Sequence, residues 1–200
     1  MIRLLVATRN AHKTREIQHI LGSGFSVRDL RAHPQISEII ETGTSFEENA
    51  KLKALAVSTK LPGLVVADDS GLEVDALGGA PGIHSARYAG ANATDTEMID
   101  KLLEELARVR AKNDSRRARF HCLLALARNG EVLGVFEGTA EGEITERPRG
   151  SRGFGYDPIF VPKGFQQTFG ELGPAEKNQL SHRARALKKL RAFLMPHRDQ

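Results

Sequence analysis

The sequence predicts a mixed α/β fold in which one sheet is flanked by helices. Apolar strand segments alternate with amphipathic helical segments along the first half of the chain, a pattern typical of parallel strands joined by helices. In the second half, Asn129-Gly130 separates two strand segments, and this dipeptide is a strong signal for a hairpin. Because a hairpin adds antiparallel pairing, we expect a mixed sheet.

The first half of the chain is expected to hold three strands and two helices. The second helix is predicted by capping-box spacings at Ser45/Glu48 and Thr44/Glu47. The third strand ends in two aspartates, and the chain after Ser70-Gly71 is a candidate continuation of it. The expected strands cover residues 3–8, 25–30 and 64–69, and the expected helices cover residues 12–21 and 45–59.

The second half is expected to contain a central strand. Residues 118–128 are apolar on both faces, as in a strand covered on both sides. Thr94 and Glu97 have capping-box spacing and predict the start of a helix. The expected elements are helices over 94–110 and 181–195, strands over 118–128, 131–139 and 159–161, and a Pro/Gly-rich loop over 147–155.

Composition excludes several classes of protein. The 200 residues carry 29 Lys and Arg against 25 Asp and Glu, and 40% of them are hydrophobic, which is ordinary for a globular protein of one domain. The single cysteine, Cys122, excludes an internal disulfide and a Cys-rich zinc site. No apolar run approaches the length of a membrane span, so we expect a cytoplasmic protein without a membrane partner.

The basic balance leaves a nucleic-acid interpretation open. Residues 108–119 and 182–191 are the densest basic stretches, and a solvated basic face is the favoured interpretation of both. The chain has no Trp and two Tyr, so aromatic side chains for base stacking are scarce. The competing class is therefore a basic nucleotide- or nucleic-acid-binding module without catalysis.

The segment Thr8-Arg-Asn-Ala-His-Lys13 lies between the first predicted strand and the first predicted helix. Backbone N–H groups at a helix N-terminus bind anions, and a hydroxyl, an amide and a lysine there suit a polyphosphate. The alternative is an ordinary strand-to-helix turn that Asn10 caps.

Asp68 and Asp69 stand at the end of a predicted strand, where ligands collect in α/β sheets. Carboxylates there suit Mg²⁺, but neighbouring side chains point to opposite faces of a strand. We therefore expect one to be a metal ligand and the other to be structural; an Asx turn is the alternative.

On a helical wheel, Lys53 falls on an apolar face, where it needs an anion unless its amine reaches solvent. Glu41 precedes the same helix and is a candidate second metal ligand.

The segment Phe154-Gly-Tyr-Asp157 offers an aromatic side chain in a Gly-rich loop, which suits stacking on a base. Lys177 and Ser181-His-Arg183 supply donors that suit a carbonyl edge. The alternative is a turn that leads into a strand, followed by a capped basic helix.

These patches occur together and in this order, and with them the sequence resembles the inosine triphosphate pyrophosphatase family. The resemblance spans nearly the whole chain. The matching segments are Ala7-Thr-Arg-Asn-Ala-His-Lys13, Glu41-Thr-Gly43, Phe46-Glu-Glu-Asn-Ala50, Ala67-Asp-Asp-Ser-Gly71, Gly78-Gly-Ala-Pro-Gly82, Ser85-Ala-Arg-Tyr88, Gly153-Phe-Gly-Tyr-Asp-Pro158 and Ser181-His-Arg183.

The resemblance implies one pyrophosphatase domain over residues 1–200, with two lobes around an active-site cleft, in a homodimer. It implies Mg²⁺-dependent hydrolysis of ITP, dITP and XTP to the monophosphate and pyrophosphate. Glu41 and Asp69 would hold the metal, Asp69 would also activate water, and Lys53 would assist catalysis. The implied nucleotide contacts are Thr8, Arg9, Asn10, Ala11, His12, Lys13, Ser70, Phe154, Gly155, Tyr156, Asp157, Lys177, His182 and Arg183. The family often has Gly at the position of His12.

Overall fold

The computed structural model describes residues 1–195, the side chains of residues 113 and 114 apart. The described chain forms six strands and five α-helices. In chain order they are β1 (Ile2–Val6), α1 (Ala11–Leu21), β2 (Phe25–Asp29), α2 (Phe46–Ser58), β3 (Leu64–Val74), α3 (Asp95–Arg108), β4 (Arg117–Arg128), β5 (Glu131–Ile144), β6 (Phe160–Pro162), α4 (Pro174–Leu180) and α5 (His182–Leu194).

The strands form one mixed sheet in the order β2-β1-β3-β4-β5-β6, which confirms the predicted fold class. β1 pairs in parallel with β2 and with β3, whereas β6 pairs antiparallel with β5. Asn129 and Gly130 join β4 to β5 with φ angles of 52° and 79°, the left-handed conformation that a two-residue hairpin turn requires. β4 is nearly all buried and lies inside the sheet, as expected of a central strand.

The chain divides into two compact units, and each has an apolar core of its own. Unit 1 comprises Met1–Asp69, Cys122–Gly138 and the chain from His182 onward. Its core includes apolar residues of β1, α1, β4 and α5. Unit 2 comprises Ser70–His121 and Thr139–Ser181, and its core joins residues of α3 to a group of aromatic rings. Phe120, Phe160 and Phe169 form that group, with ring centroids 4.6–6.2 Å apart.

Two local expectations differ from the structure. β3 continues without a break through Ser70-Gly71 to Val74, so the predicted alternative of an Asx turn after Asp69 is wrong. The short helix α4, which carries Lys177, is not predicted from the sequence. It begins with Pro at its first position and has only seven residues, too few for an apolar periodicity to be visible.

Gly138 in β5 allows α5 to approach the sheet closely. A β-carbon at this position would overlap the carbonyl oxygen of His182 and would lie 2.5 Å from the amide nitrogen of Ala186. The first turn of α5 therefore packs on bare backbone at this point.

No helix among the described residues is both long and apolar enough to span a bilayer.

Candidate active site

Two adjacent carboxylates of β3 have different partners in unit 1. Asp68 and Asp69 are both buried. Asp68 forms ion pairs with Lys13 of α1 and Arg183 of α5, whereas Asp69 forms one with Lys53 of α2. Since side chains alternate along a strand, the partner from α2 lies on one face of β3, and the partners from α1 and α5 lie on the other.

Asp68 is surrounded by donors. Its Oδ1 lies 2.5 Å from Lys13 Nζ, its Oδ2 accepts a hydrogen bond from Arg183 Nε at 2.7 Å, and Cys122 Sγ lies 3.5 Å from Oδ2. Burial on its own would raise the pKa of Asp68, but the charges of Arg183 and Lys13 outweigh it and hold this pKa well below 3.8. Asp68 therefore stays ionised and links α1 to α5.

Lys53 bridges two carboxylates. Its Nζ lies 2.7 Å from Glu41 Oε1 and 2.7 Å from Asp69 Oδ1, and it donates to the backbone carbonyl of Asp68 at 3.0 Å. Burial lowers the pKa of this amine, but Asp69 and Glu41 more than compensate and raise it above its usual 10.5. Lys53 thus lies buried on the apolar face of α2, and the anions that it meets are carboxylates of the chain. Its contact with a phosphate stays a prediction.

Asp69 keeps one oxygen without a protein donor. Its Oδ2 is buried and has no hydrogen-bond partner among the described residues. Burial raises the pKa of Asp69 above 3.8; Lys53 opposes this shift, and the neighbouring Glu41 carboxylate adds to it. A buried carboxylate oxygen of raised basicity, next to an ammonium group, suits the acceptance of a proton or the binding of a cation.

The segment that carries Glu41 has no regular structure and is tied to the first turns of α2. Gly43 N–H donates to Asn49 Oδ1 at 2.9 Å, and Thr44 N–H donates to Glu48 Oε2 at 2.7 Å. Ser45 caps α2 by accepting from Glu48 N–H, as one of the two predicted spacings requires. Asn49 is not among the predicted site residues, although its place on the apolar face of α2, one turn before Lys53, is a usable signal.

The segment from Thr8 to Lys13 forms a capped helix start. Asn10 is the N-cap of α1, and its Oδ1 accepts from the N–H groups of His12 and Lys13 at 2.8 and 3.2 Å. Thr8 Oγ1 accepts from Asn10 N–H at 3.1 Å, and Ala11 begins the helix. The alternative prediction, that Asn10 caps the turn, is thus confirmed, and the triphosphate contacts of this segment stay a prediction.

Arg9 points its guanidinium at the chain that follows β2. Nη1 donates to Leu30 O at 2.9 Å, and Nη2 donates to Ile36 O at 2.5 Å. These bonds hold the connection between β2 and the Glu41 segment. The role of Arg9 in nucleotide binding stays a prediction.

His182 and Arg183 are the first residues of α5, and both are buried. Besides Asp68, Arg183 pairs with Glu16 of α1 through Nη1. Glu16 is not among the predicted site residues, because no local pattern links it to Arg183 at the far end of the chain. The buried guanidinium joins α1, β3 and α5.

The loop at residues 154–157 is organised around Asp157 in unit 2. Asp157 Oδ2 accepts from Phe154 N–H at 2.8 Å and from Lys177 Nζ at 2.6 Å, and that Nζ lies 5.0 Å from the centroid of the Phe154 ring. Gly155 N–H donates to Asp95 Oδ2 at 2.7 Å, and the hydroxyl of Tyr156 donates to Ser85 O at 3.0 Å. Neither Asp95 nor Ser85 was predicted to support this loop.

The predicted site residues thus form two groups, one in each unit. Ser70, Phe154, Gly155, Tyr156, Asp157 and Lys177 belong to unit 2. The group in unit 1 consists of Thr8, Arg9, Asn10, Ala11, His12, Lys13, Glu41, Lys53, Asp69, His182 and Arg183.

Two arginines of the basic stretch at 108–119 make contacts inside unit 2. Arg116 is buried and donates to the backbone carbonyls of Ile144 and Thr145 at 2.7 and 2.6 Å. Arg119 pairs with Glu73 and with Asp75. These contacts favour a structural interpretation of the stretch over a nucleic-acid surface.

The fold and the cluster of Glu41, Lys53 and Asp69 define a mixed α/β protein in which a buried lysine of a helix bridges one carboxylate of a strand and one of a loop. The chain belongs to the Ham1 family, whose model matches residues 4–193. It is 51% identical to a dITP/XTP pyrophosphatase of Geobacillus kaustophilus over 95% of this chain and 93% of the relative. It is 48% identical to the dITP/XTP pyrophosphatase of Bacillus subtilis over 97% of this chain and 98% of the relative.

Solved structures agree with this assignment. The structure of a HAM1 protein from Coxiella burnetii is similar to this chain with a TM-score of 0.87 and 42% identity, over 98% of this chain and 100% of that one. The Staphylococcus aureus Ham1 protein gives a TM-score of 0.84 and 40% identity over the same shares.

Proposed function

We propose that this Ham1-family chain is a pyrophosphatase for non-standard purine nucleoside triphosphates. It hydrolyses ITP, dITP and XTP to the nucleoside monophosphate and pyrophosphate, and so removes them from the nucleotide pool. The observation that carries the proposal is the cluster of Glu41, Lys53 and Asp69, in which Lys53 and Asp69 are buried, in a chain about half identical to curated dITP/XTP pyrophosphatases over nearly its full length.

Mg²⁺ is the proposed cofactor, and the donors present fit it. Glu41 and Asp69 offer hard oxygen ligands, and Asp69 Oδ2 is a buried oxygen without a hydrogen-bond partner among the described residues. The described chain has no group of three or more metal-ligating side chains, which agrees with the habit of Mg²⁺ to take one or two carboxylates and complete its shell with water and phosphate. When bound, Mg²⁺ supplies positive charge to phosphate oxygens and makes water a better acid.

Asp69 is the proposed general base. Its carboxylate accepts a proton from a water molecule whose oxygen attacks the α-phosphorus, and the bond from that phosphorus to the departing pyrophosphate oxygen breaks. The raised pKa of Asp69 makes it a stronger base than an exposed carboxylate. Lys53 and Lys13 stabilise the negative charge that develops on the phosphate oxygens.

Base selection follows from hydrogen-bond polarity. Hypoxanthine and xanthine carry a 6-carbonyl, which is an acceptor, whereas adenine carries an amino group there. Donors from Arg183 or from the backbone near His182 match the carbonyl and leave adenine unpaired, which disfavours ATP by a large factor. In the second unit, Phe154 would stack on the base, and the other nucleotide contacts there are proposed by the resemblance alone.

The remaining parts of the proposal rest on the family resemblance. They are a single pyrophosphatase domain of two lobes over residues 1–200, a homodimer, a cytoplasmic location, and the absence of a nucleic-acid or membrane partner.

The test is to incubate the purified protein with ITP, dITP, XTP, ATP and GTP, each with Mg²⁺ or with EDTA, and to resolve the products by chromatography. We expect monophosphate and pyrophosphate from the first three, only with Mg²⁺, and little turnover of ATP. Guanine carries the same 6-carbonyl, so little turnover of GTP requires that its 2-amino group meet a clash or an unmatched group. Nucleoside diphosphate and orthophosphate would overturn attack at the α-phosphorus. No turnover of any triphosphate would overturn the enzymatic function.

A further inference from the structure

Asn49 joins the helix that carries Lys53 to the loop that carries Glu41. It lies in α2, one turn before Lys53, and it is fully buried. Its Oδ1 accepts the N–H of Gly43 at 2.9 Å. Since Gly43 follows Glu41 after one residue, this bond fixes the backbone of the Glu41 segment to the same helix face that presents the ammonium group of Lys53.

We propose that Asn49 is a positioning residue that holds the Glu41 segment against α2, so that the Glu41 carboxylate meets Lys53 and Asp69. This inference rests on the proposed function, in which Glu41 is a metal ligand. The partners that orient a metal-ligating carboxylate affect metal affinity and activity almost as strongly as the ligand itself.

Gly43 supplies the other half of this contact. A β-carbon on Gly43 would lie 2.7 Å from Asn49 Oδ1 and 2.7 Å from the β-carbon of Glu48, distances shorter than van der Waals contact. Its φ angle is not positive, so the close approach to Asn49, rather than backbone strain, requires a glycine here. The loop and the helix are therefore packed as tightly as their backbones allow.

The amide of Asn49 contributes little net stability. Because Oδ1 must face the N–H of Gly43, the orientation of the amide is determined by its partner. Its Nδ2 is then buried without a hydrogen-bond partner among the described residues, and a buried donor in that state is costly. An apolar residue of similar size would remove this cost but would also leave the N–H of Gly43 without its acceptor, so the two effects on stability oppose each other.

The decisive variant is Asn49→Leu, which has about the same size and no acceptor. We expect the amide of Gly43 to exchange with solvent about tenfold faster or more in the protein without metal or substrate, as measured by NMR. We expect kcat/KM for dITP to fall about 10- to 100-fold, and the Mg²⁺ concentration for half-maximal activity to rise by a similar factor. The melting temperature should stay within about 4 °C of wild type, since removal of the unpaired donor offsets the loss of the acceptor for Gly43 N–H.

Gly43→Ala tests the same contact from the loop side, because it pushes the segment from α2 and keeps Asn49. It should reproduce the loss of kcat/KM and the higher Mg²⁺ concentration for half-maximal activity. Ser58→Ala is the matched control at the other end of α2, where buried Ser58 Oγ accepts from Gly130 N–H at 3.1 Å. It should lower the melting temperature by a few degrees and leave kcat/KM unchanged.

A double-mutant cycle separates positioning from a general loss of structure. In the background of Glu41→Gln, Asn49→Leu should lower kcat/KM less than twofold further, because the group that it positions is already gone. Full additivity would overturn the proposal.

Two further outcomes separate this inference from the proposed function. If wild type turns over dITP and Asn49→Leu leaves kcat/KM and the Mg²⁺ requirement unchanged, the positioning role is wrong. If wild type turns over no triphosphate, the proposed function fails, but the exchange rate of the Gly43 amide still tests whether Asn49 holds this segment. An unchanged rate in Asn49→Leu overturns that role, and a faster rate supports it.

Discussion

Asp68 and Asp69 are neighbours on one strand, yet their surroundings differ in kind. Both oxygens of Asp68 meet cations, Lys13 at Oδ1 and Arg183 at Oδ2. At Asp69, Lys53 meets Oδ1 and also pairs with Glu41, while Oδ2 has no hydrogen-bond partner among the described residues. A buried carboxylate that is paired at both oxygens fixes structure, whereas one with an unpaired oxygen keeps capacity for a cation or a proton.

The largest effect is expected from Asp68→Asn. The substitution leaves the charges of Lys13 and Arg183 without their shared carboxylate, and breaking a buried ion pair costs about 3–5 kcal/mol. Urea denaturation should show this loss in the free energy of unfolding. A loss below about 1 kcal/mol would remove the distinction between the two regions.

Asp69→Asn should have the opposite profile. Its kcat/KM for dITP should fall about 100-fold or more, because a general base contributes at least that factor. Its free energy of unfolding should stay within about 1 kcal/mol of wild type, since burial already disfavours the charge of Asp69 and Lys53 keeps its ion pair with Glu41. Steady-state kinetics with Mg²⁺, beside the same urea titration, checks both. Retention of more than a tenth of wild-type turnover would exclude Asp69 as the base.

Arg183→Lys sharpens the comparison on the side of Asp68. A lysine keeps the charge but cannot reach Asp68 and Glu16 with two separate nitrogens, so we expect a loss of about 2 kcal/mol in the free energy of unfolding. The ratio of kcat/KM for ITP over ATP is the second measurement. If stability is unchanged and that ratio collapses, the main role of Arg183 is to recognise the base.

Asp29→Asn gives the smallest effect and provides a pH-dependent reference. Hydrogen bonds from Arg31, with a further one from Thr14, lower the pKa of Asp29 to about 2. Because this pKa lies below the unfolded value of 3.8, the stabilisation is present above about pH 4 and is lost as the pH falls toward 2. Since the side chain of Arg31 is 54% exposed, screening by solvent limits the contribution to about 1 kcal/mol.

Melting temperatures between pH 7 and pH 2 check this prediction. Asp29→Asn should differ most from wild type near neutral pH, and the two curves should converge at the acid end. A difference that grows toward low pH would show the opposite sign of linkage.

Much of the fold follows from local patterns in the sequence. Periodicity and capping signals place α1, α2 and α3, and Asn129-Gly130 places the hairpin between β4 and β5. Lys53 is the most informative single residue, because its place on an apolar helix face predicts both its burial and its need for an anion.

The features that the sequence does not predict are long-range contacts and the very short helix α4. Glu16 meets Arg183 across most of the chain, and Asp95 meets Gly155 in the same unit, and no spacing in the sequence reports either pair. The continuation of β3 beyond Ser70-Gly71, a candidate from the sequence, is confirmed, and the neighbouring strands override the local turn propensity of these two residues.

Gly138 limits what mutational tolerance reveals about function. Any side chain there would collide with the backbone of α5 at His182, so every substitution displaces the helix that carries Arg183. A saturation scan scored by activity would rank position 138 beside Asp69, although a glycine has no functional group to offer a substrate. Intolerance to substitution identifies a catalytic group in this protein only where a side chain exists to be removed.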